Sequence, residues 1–321
     1  MESSILRKVK RRVKRRIFGK KGNQRNRRAE QTAEKNYELA KIDAAAVAKA
    51  IEEQGGVTKD SFLFITLDSC RFDTFANAHA PNLKNIGEWY EAEAPASFTF
   101  PSHMSMFIGM TPGVAASREP YRNPKAGRIW RMSTAIGGGK KNDYINLSGQ
   151  NIIDGFNNRG YYTLGAGAMN WFNRRVPTTK PLVGFFKDFL FTYIDVDAQM
   201  GYVLPKIKEN RDQPMFVFVN VGETHVPYHY RGADWTATEN PCVPFRDDNS
   251  RELSQERQRK CLEYVDLKLG PLIKLFQHSG ASLVVCGDHG DCHGEDNLWA
   301  HGFYHEKVLK VPMVYNLAPR D

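Results

Sequence analysis

Two short segments hold the residues best suited to chemistry: Leu67 to Asp73 (LDSCRFD) and Cys286 to Asp291 (CGDHGD). Each follows an apolar run, Phe62-Leu63-Phe64-Ile65-Thr66 in the first case and Ser282-Leu283-Val284-Val285 in the second. Short runs rich in β-branched and aromatic residues read as buried strands. Asp68, Asp288 and His289 therefore stand at strand C-terminal ends, the edge of an open α/β sheet where ligands bind. Two carboxylates and an imidazole at one edge can hold zinc or a harder divalent cation. A third segment, Ser97-Phe98-Thr99-Phe100-Pro101-Ser102-His103, precedes a helix-like stretch from Met104 to Gly109. At such a loop-to-helix junction, free N–H groups and the helix dipole favour an anion. The Thr99 hydroxyl is a weak nucleophile alone and needs a metal or a base. The three candidate ligands can supply that activation. Ser102 reads as the helix N-cap.

These three segments, in this order, resemble the alkaline phosphatase superfamily on its sulfatase-like and phosphodiesterase side. The resemblance rests on Asp68, Arg71 and Asp73, on Thr99-Phe100-Pro101-Ser102, and on Gly287-Asp288-His289-Gly290. Gly294-Glu295, Leu298-Trp299, His301-Gly302 and Val311-Pro312 extend it, over roughly residues 60 to 315. It implies a mainly parallel sheet with helices on both faces. It also implies a divalent metal (Zn, Mn, Mg or Ca) on Asp68, Thr99, Asp288 and His289, with Thr99 as nucleophile. His225, in Glu223-Thr224-His225-Val226-Pro227, and His301 are then catalytic contacts to the developing charge. His103 and Arg71 are candidate substrate contacts, with a structural Arg71–Asp73 ion pair as the second reading of Arg71. One ion is the reading adopted; a second would draw on Glu223, His225, His293, His301 or His305.

The departures narrow the chemistry. Sulfatases carry a Cys or Ser that is oxidised to formylglycine, then x-Pro-x-Arg; here those positions hold Thr99 and His103. Threonine cannot form that aldehyde. Ser69 also stands where sulfatases carry a second Asp. Both features resemble the phosphodiesterase and phosphoethanolamine-transferase branches. The expected function is a metal-dependent hydrolase or transferase of phosphate mono- or diesters. A sulfatase and a non-catalytic sulfatase-like binding module are the alternatives.

The chain has 321 residues, enough for a full core. It has no 18-residue apolar run of the kind that spans a bilayer, and no apolar leader segment is expected at its start. Five cysteines without metal-ligand spacing fit a reducing cytoplasm. The first 28 residues carry 13 Lys/Arg against Glu2, whereas the whole chain carries only +9. Ile5, Val9, Val13 and Ile17 recur every four residues within that basic segment. The pattern reads as an amphipathic helix on an anionic membrane surface, with an RNA-binding arm or an inert arm as alternatives. Residues 29–56 read as a helical linker ending at Gly55-Gly56, and 57–321 as the catalytic domain. Helices are expected over Pro81 to Tyr90, Ser148 to Asn158, Asp197 to Glu209 and Gln255 to His278, with a strand at Tyr161 to Leu164. The irregular stretch Arg118 to Asn146, including Gly137-Gly138-Gly139, is a surface excursion or a substrate lid.

The catalytic candidates all lie beyond residue 60, so tail and chemistry should separate. Deleting residues 1–28 is expected to abolish co-sedimentation with anionic vesicles at low salt and to spare activity on soluble esters. Equal co-sedimentation of both forms would remove the membrane role.

Overall fold

A computed structural model describes residues 32–109, 122–123, 127–128 and 150–319. The basic segment 1–28 lies outside the described residues. So does the stretch 118–146, apart from the antiparallel pair Arg122–Asn123 and Gly127–Arg128.

The centre is a seven-stranded sheet. In chain order its strands are β1 (Phe62–Leu67), β2 (Trp89–Glu93), β3 (Tyr162–Gly167), β4 (Asp188–Phe191), β5 (Met215–Val221), β6 (Ser282–Gly287) and β7 (Lys310–Asn316). The spatial order is β2-β7-β6-β1-β5-β3-β4. β4, β3, β5, β1 and β6 are parallel. β7 runs antiparallel to both β6 and β2. Register places the site: Leu67 pairs with Val221 on one side and Gly287 on the other. Residues 68, 222 and 288 therefore leave the sheet at one height.

Strand alternation divides the core between two faces. Leu63, Ile65, Val217 and Val219 join one cluster with helices α1 (Ala44–Glu52), α6 (Val196–Asn210) and α7 (Arg251–His278). Phe216 and Phe218 point the other way. They pack with Phe100 and Phe107 of α4 (Thr99–Ile108), with Ile153 of α5 (Ile152–Asn158), and with Phe172 and Phe186. Ser250 caps α7 by accepting from Leu253 N, and Asp195 caps α6 by accepting from Ala198 N. Between β1 and β2 lie the short helices α2 (Phe72–Asn77) and α3 (Pro81–Lys84).

Several sequence expectations shift. The helix read over Pro81 to Tyr90 stops at Lys84, and Trp89–Glu93 becomes a strand. Gly87 sits so close to the Tyr315 carbonyl that a Cβ would clash, so backbone meets backbone where the chain turns onto the sheet edge. The helix read from Met104 begins five residues earlier, at Thr99, and ends at Gly109 with φ 69°. Ser102 thus lies inside that helix, where its hydroxyl donates to Ala96 O at 3.1 Å instead of capping. The described part of the 29–56 segment packs onto the domain. Ala48 and Ile51 are buried, and Asn36 Nδ2 donates to Thr192 O at 2.7 Å.

Gly201 of α6 lies directly under the Leu39 carbonyl, where a Cβ has no room. Glycine to alanine inside a helix ordinarily stabilises by roughly 1 kcal/mol. Here Gly201→Ala should instead destabilise by about 1–3 kcal/mol in urea unfolding, because the backbone of residues 32–40 must move. A more stable variant would show that this helix does not pack on α6.

Candidate active site

The strand ends, one helix start and two loops converge above β1. Asp68 follows β1, and Asp288 and His289 follow β6. All three are fully buried, and their ligand atoms lie within 4.8 Å of one another. Thr99, the first residue of α4, places Oγ1 3.3 Å from Asp68 Oδ2 and 3.3 Å from His289 Nε2. His289 Nε2 is 3.6 Å from both Asp68 Oδ1 and Asp288 Oδ2.

The loops after the strands are fixed tightly. Ser69 adopts φ 60°, unusual for a residue with a Cβ, and its N–H donates to Asp288 Oδ1 at 3.0 Å. His289 N donates to the same oxygen at 2.8 Å. Thr224 Oγ1 donates to Asp68 O at 2.6 Å. Gln258 of α7 donates to Ser69 O and Thr224 O and accepts from Thr74 Oγ1, tying the β1 and β5 loops together. Gly290 is held against the Lys307 carbonyl, a position any side chain would obstruct. That contact is a physical reason for glycine after Asp288-His289.

The electrostatics are those of a cation site. Burial first, and the neighbouring Asp68 charge second, push Asp288 well above the ordinary carboxylate range. Burial also raises Asp68, against the opposing influence of His225 and His301. Asp288 Oδ2 is buried without a hydrogen-bond partner. His289 Nδ1 donates to Gly290 O at 3.0 Å, which leaves the Nε2 lone pair facing the two carboxylates. Burial holds that ring well below the usual imidazole range, hence neutral. Oxygen and nitrogen lone pairs converging with few protons between them fit a divalent metal, and a fixed second nitrogen is the usual support of a ligating histidine.

His301 and His225 lie beside this cluster. The His301 ring centroid is 4.3 Å from that of His289 and 5.0 Å from that of His225. His225 is half-buried, and its Nδ1 donates to Val226 O at 2.6 Å. Burial lowers His301, but the charge and hydrogen bond of Asp291 outweigh it and leave the ring raised. His289, Asp291 and His301 form a second group with ligand atoms within 4.8 Å. Sequence reading assigned nothing to Asp291. The available signal was its place two residues after His289 in the same loop.

Other candidates have partners of their own, and His103 Nδ1 also lies 3.7 Å from Asp288 Oδ2. The buried Arg71 guanidinium pairs with Asp73 at 2.6 Å and Glu295 at 2.9 Å, and donates to Asp291 O. His103 is fully buried; its Nδ1 donates to Thr99 O at 2.8 Å and its Nε2 lies 2.9 Å from Thr66 Oγ1. Burial pushes His103 down to about 4, against the Thr99 carbonyl. Glu223 turns away to accept from Val196 N at the start of α6 and from Gly222 N. Burial raises it to about 7. His293 is buried against Tyr228, and His305 caps the helix Glu306–Leu309.

A mostly parallel sheet that brings two aspartates, a histidine and a threonine to its C-terminal edge defines a sulfatase-like domain of the alkaline phosphatase superfamily. The chain belongs to the sulfatase family, whose model matches residues 60–315. No curated protein matches it significantly in sequence. Among solved structures it is similar to the C-terminal periplasmic domain of the phosphoethanolamine transferase EptC from Campylobacter jejuni. That likeness has TM-score 0.54 and 15% identity, over 80% of this chain and 79% of that one. The corresponding domain of Escherichia coli EptC, in complex with Zn, has TM-score 0.52 and 13% identity, over 83% and 74%. The putative sulfatase yidJ from Bacteroides fragilis has TM-score 0.55 and 15% identity, over 81% and 68%.

The raised Asp288 gives a stability prediction with a definite sign. Its folded value lies above the unfolded one, so its cost to stability grows as pH rises from the ordinary carboxylate range toward that raised value. In chelator-treated protein at pH about 8, Asp288→Asn should therefore be more stable than the parent, by about 1–3 kcal/mol for a relieved buried charge. A variant less stable than the parent under those conditions would contradict this electrostatic reading.

Proposed function

We propose that the protein is a metal-dependent phosphoryl-transfer enzyme, a hydrolase or transferase of phosphate mono- or diesters with Thr99 as nucleophile. The observation that carries this reading is the placement of Thr99 Oγ1, at a helix start, 3.3 Å from both Asp68 and His289. The fold it shares with a phosphoethanolamine transferase supports a phosphoester substrate.

Asp68, Asp288, His289 and Thr99 would hold one divalent ion, Zn, Mn, Mg or Ca. When bound, the ion would act as a Lewis acid, lowering the pKa of the Thr99 hydroxyl and offsetting charge on a phosphoryl oxygen. Thr99 Oγ1 gives up its proton to the Asp68 carboxylate, 3.3 Å away, and forms the new bond to phosphorus as the bond to the leaving oxygen breaks, giving a phosphothreonine. The leaving oxygen takes a proton from an imidazole, His301 or His225, each of which has one ring nitrogen tied down and one free. Water or an acceptor alcohol then attacks the phosphothreonine and gives its own proton to that imidazole, while the bond to Thr99 Oγ1 breaks and the threonine oxygen takes its proton back. The N-terminus of α4 adds backbone N–H groups beside the transferred group.

Arg71 and His103 take positioning roles in this reading, since their nitrogens are already committed inside the protein. His103 supports the first turn of α4 through the Thr99 carbonyl. Arg71 braces the loop that carries Asp291. For location we propose the cytoplasmic face of a membrane. The five buried, free thiols support a reducing compartment, and the basic segment 1–28 supports an anionic surface. A lipid-linked or glycan-linked phosphoester follows as the substrate class.

Thr99→Ala should lower turnover of p-nitrophenyl phosphate or its bis-ester by at least about a thousandfold while leaving thermal unfolding in place. Chelation should stop the parent, and the p-nitrophenyl sulfate rate should fall below both phosphate rates. Alanine activity within about tenfold of the parent would remove Thr99 from its role. A dominant sulfatase rate would replace the phosphoryl-transfer reading.

A further inference from the structure

We propose that Asp291, braced by Tyr228, is the positioning residue that fixes His301 for the leaving oxygen; this deepens the phosphoryl-transfer reading and rests on it. Asp291 and Tyr228 are fully buried. Asp291 Oδ1 lies 2.6 Å from His301 Nδ1, and Oδ2 lies 2.8 Å from Tyr228 OH. On its other side the tyrosine oxygen is 3.0 Å from His293 Nε2.

The directions of these bonds follow by elimination. An ionised carboxylate only accepts, so His301 Nδ1–H and Tyr228 O–H both point at Asp291. The tyrosine proton is then spent, and His293 must donate from Nε2. Its Nδ1 is buried without a partner, an arrangement compatible with a bare lone pair there. His293 thus donates to Tyr228, and Tyr228 and His301 both donate to Asp291. His301 is left with Nε2 as its one uncommitted nitrogen, in a ring packed between His289 and His225.

The brace is itself locked. Tyr228 N donates to His225 O at 2.8 Å, so one turn presents His225 and delivers Tyr228. Trp235 Nε1 donates to Tyr228 O at 2.8 Å. The rival occupant of this group is a metal ion shared by His289, Asp291 and His301. The 2.6 Å contact is a hydrogen-bond distance, and both Asp291 oxygens already accept a proton. That favours the dyad over the ion.

The test uses the full chain with Asp291→Asn and Tyr228→Phe. Turnover is compared on a p-nitrophenyl ester and on the glycerol ester of the same class. An oriented proton donor contributes about 10²–10⁴-fold, most where the leaving group is poor. Asp291→Asn should lose at least about 100-fold on the glycerol ester and less than about tenfold on the nitrophenyl ester. Tyr228→Phe should show a smaller split of the same sign. Equal loss on both esters would overturn the proposal and leave the Thr99 reading standing. A retained split alongside an active Thr99→Ala would do the reverse.

Nitrogen NMR of the imidazole rings gives a readout independent of turnover. In the parent His301 should keep a proton on Nδ1 at every pH, with Nε2 gaining and losing the second, transferable proton; in Asp291→Asn the neutral ring should shift toward the Nε2–H form. A parent ring without an Nδ1 proton, or ligation of a His301 nitrogen on adding Zn²⁺, would also overturn it.

Discussion

The rest of the site is arranged around two carboxylates that have no access to water. Asp68 and Asp288 are both fully buried, and Asp288 Oδ2 has no hydrogen-bond partner. Taking such a group from water without a partner costs several kcal/mol, and a second carboxylate beside it adds to the cost. Only a cation or a proton removes that cost. The neutral His289, its Nδ1 held by Gly290 O, adds a lone pair in place of a charge. The surrounding protein therefore holds a site that is unfavourable until positive charge or a proton offsets the two carboxylates.

That requirement explains the bracing. Parallel register brings Asp68 and Asp288 to one height, but loops without support would let the charges separate. Gln258 from α7 ties the β1 and β5 loops, Ser69 takes a left-handed backbone to reach Asp288, and Arg71 clamps the β6 loop through Glu295 and Asp291 O. On the opposite face the aromatic core around Phe107, Phe172 and Phe218 surrounds the His103 ring. The first turn of α4, and Thr99 with it, is held against that packing. Stability supplied by two well-packed faces sustains strain and buried charge at the edge between them.

Much of this was legible in the sequence because strand ends announce themselves. The apolar runs before Asp68 and Asp288 identified two central strands, and the intervening helix patterns implied a parallel sheet. Trp89–Glu93 was misread because Pro81 starts a true helix and nothing local shows where it stops; pairing with β7 decides that. The antiparallel β7 was invisible for the same reason. Thr99 lies inside the helix and not ahead of it because Ser102, a residue type that favours the N-cap, sits in the first turn and donates to Ala96 O instead. His103 and Glu223 carry ligand-type side chains, yet their partners, Thr66 and the start of α6, are distant in sequence. Asp291 was overlooked because its role depends on Tyr228 and His301, which only the fold assembles.

The central claim is that a threonine, and not water, makes the first bond to phosphorus. The stereochemical course at phosphorus tests it most directly, with an isotopically chiral phosphate ester as substrate. Two in-line displacements through Thr99 predict net retention of configuration. Net inversion would mean a single direct attack by water or acceptor, and would contradict the account whatever the metal requirement or the fate of the Thr99 variants.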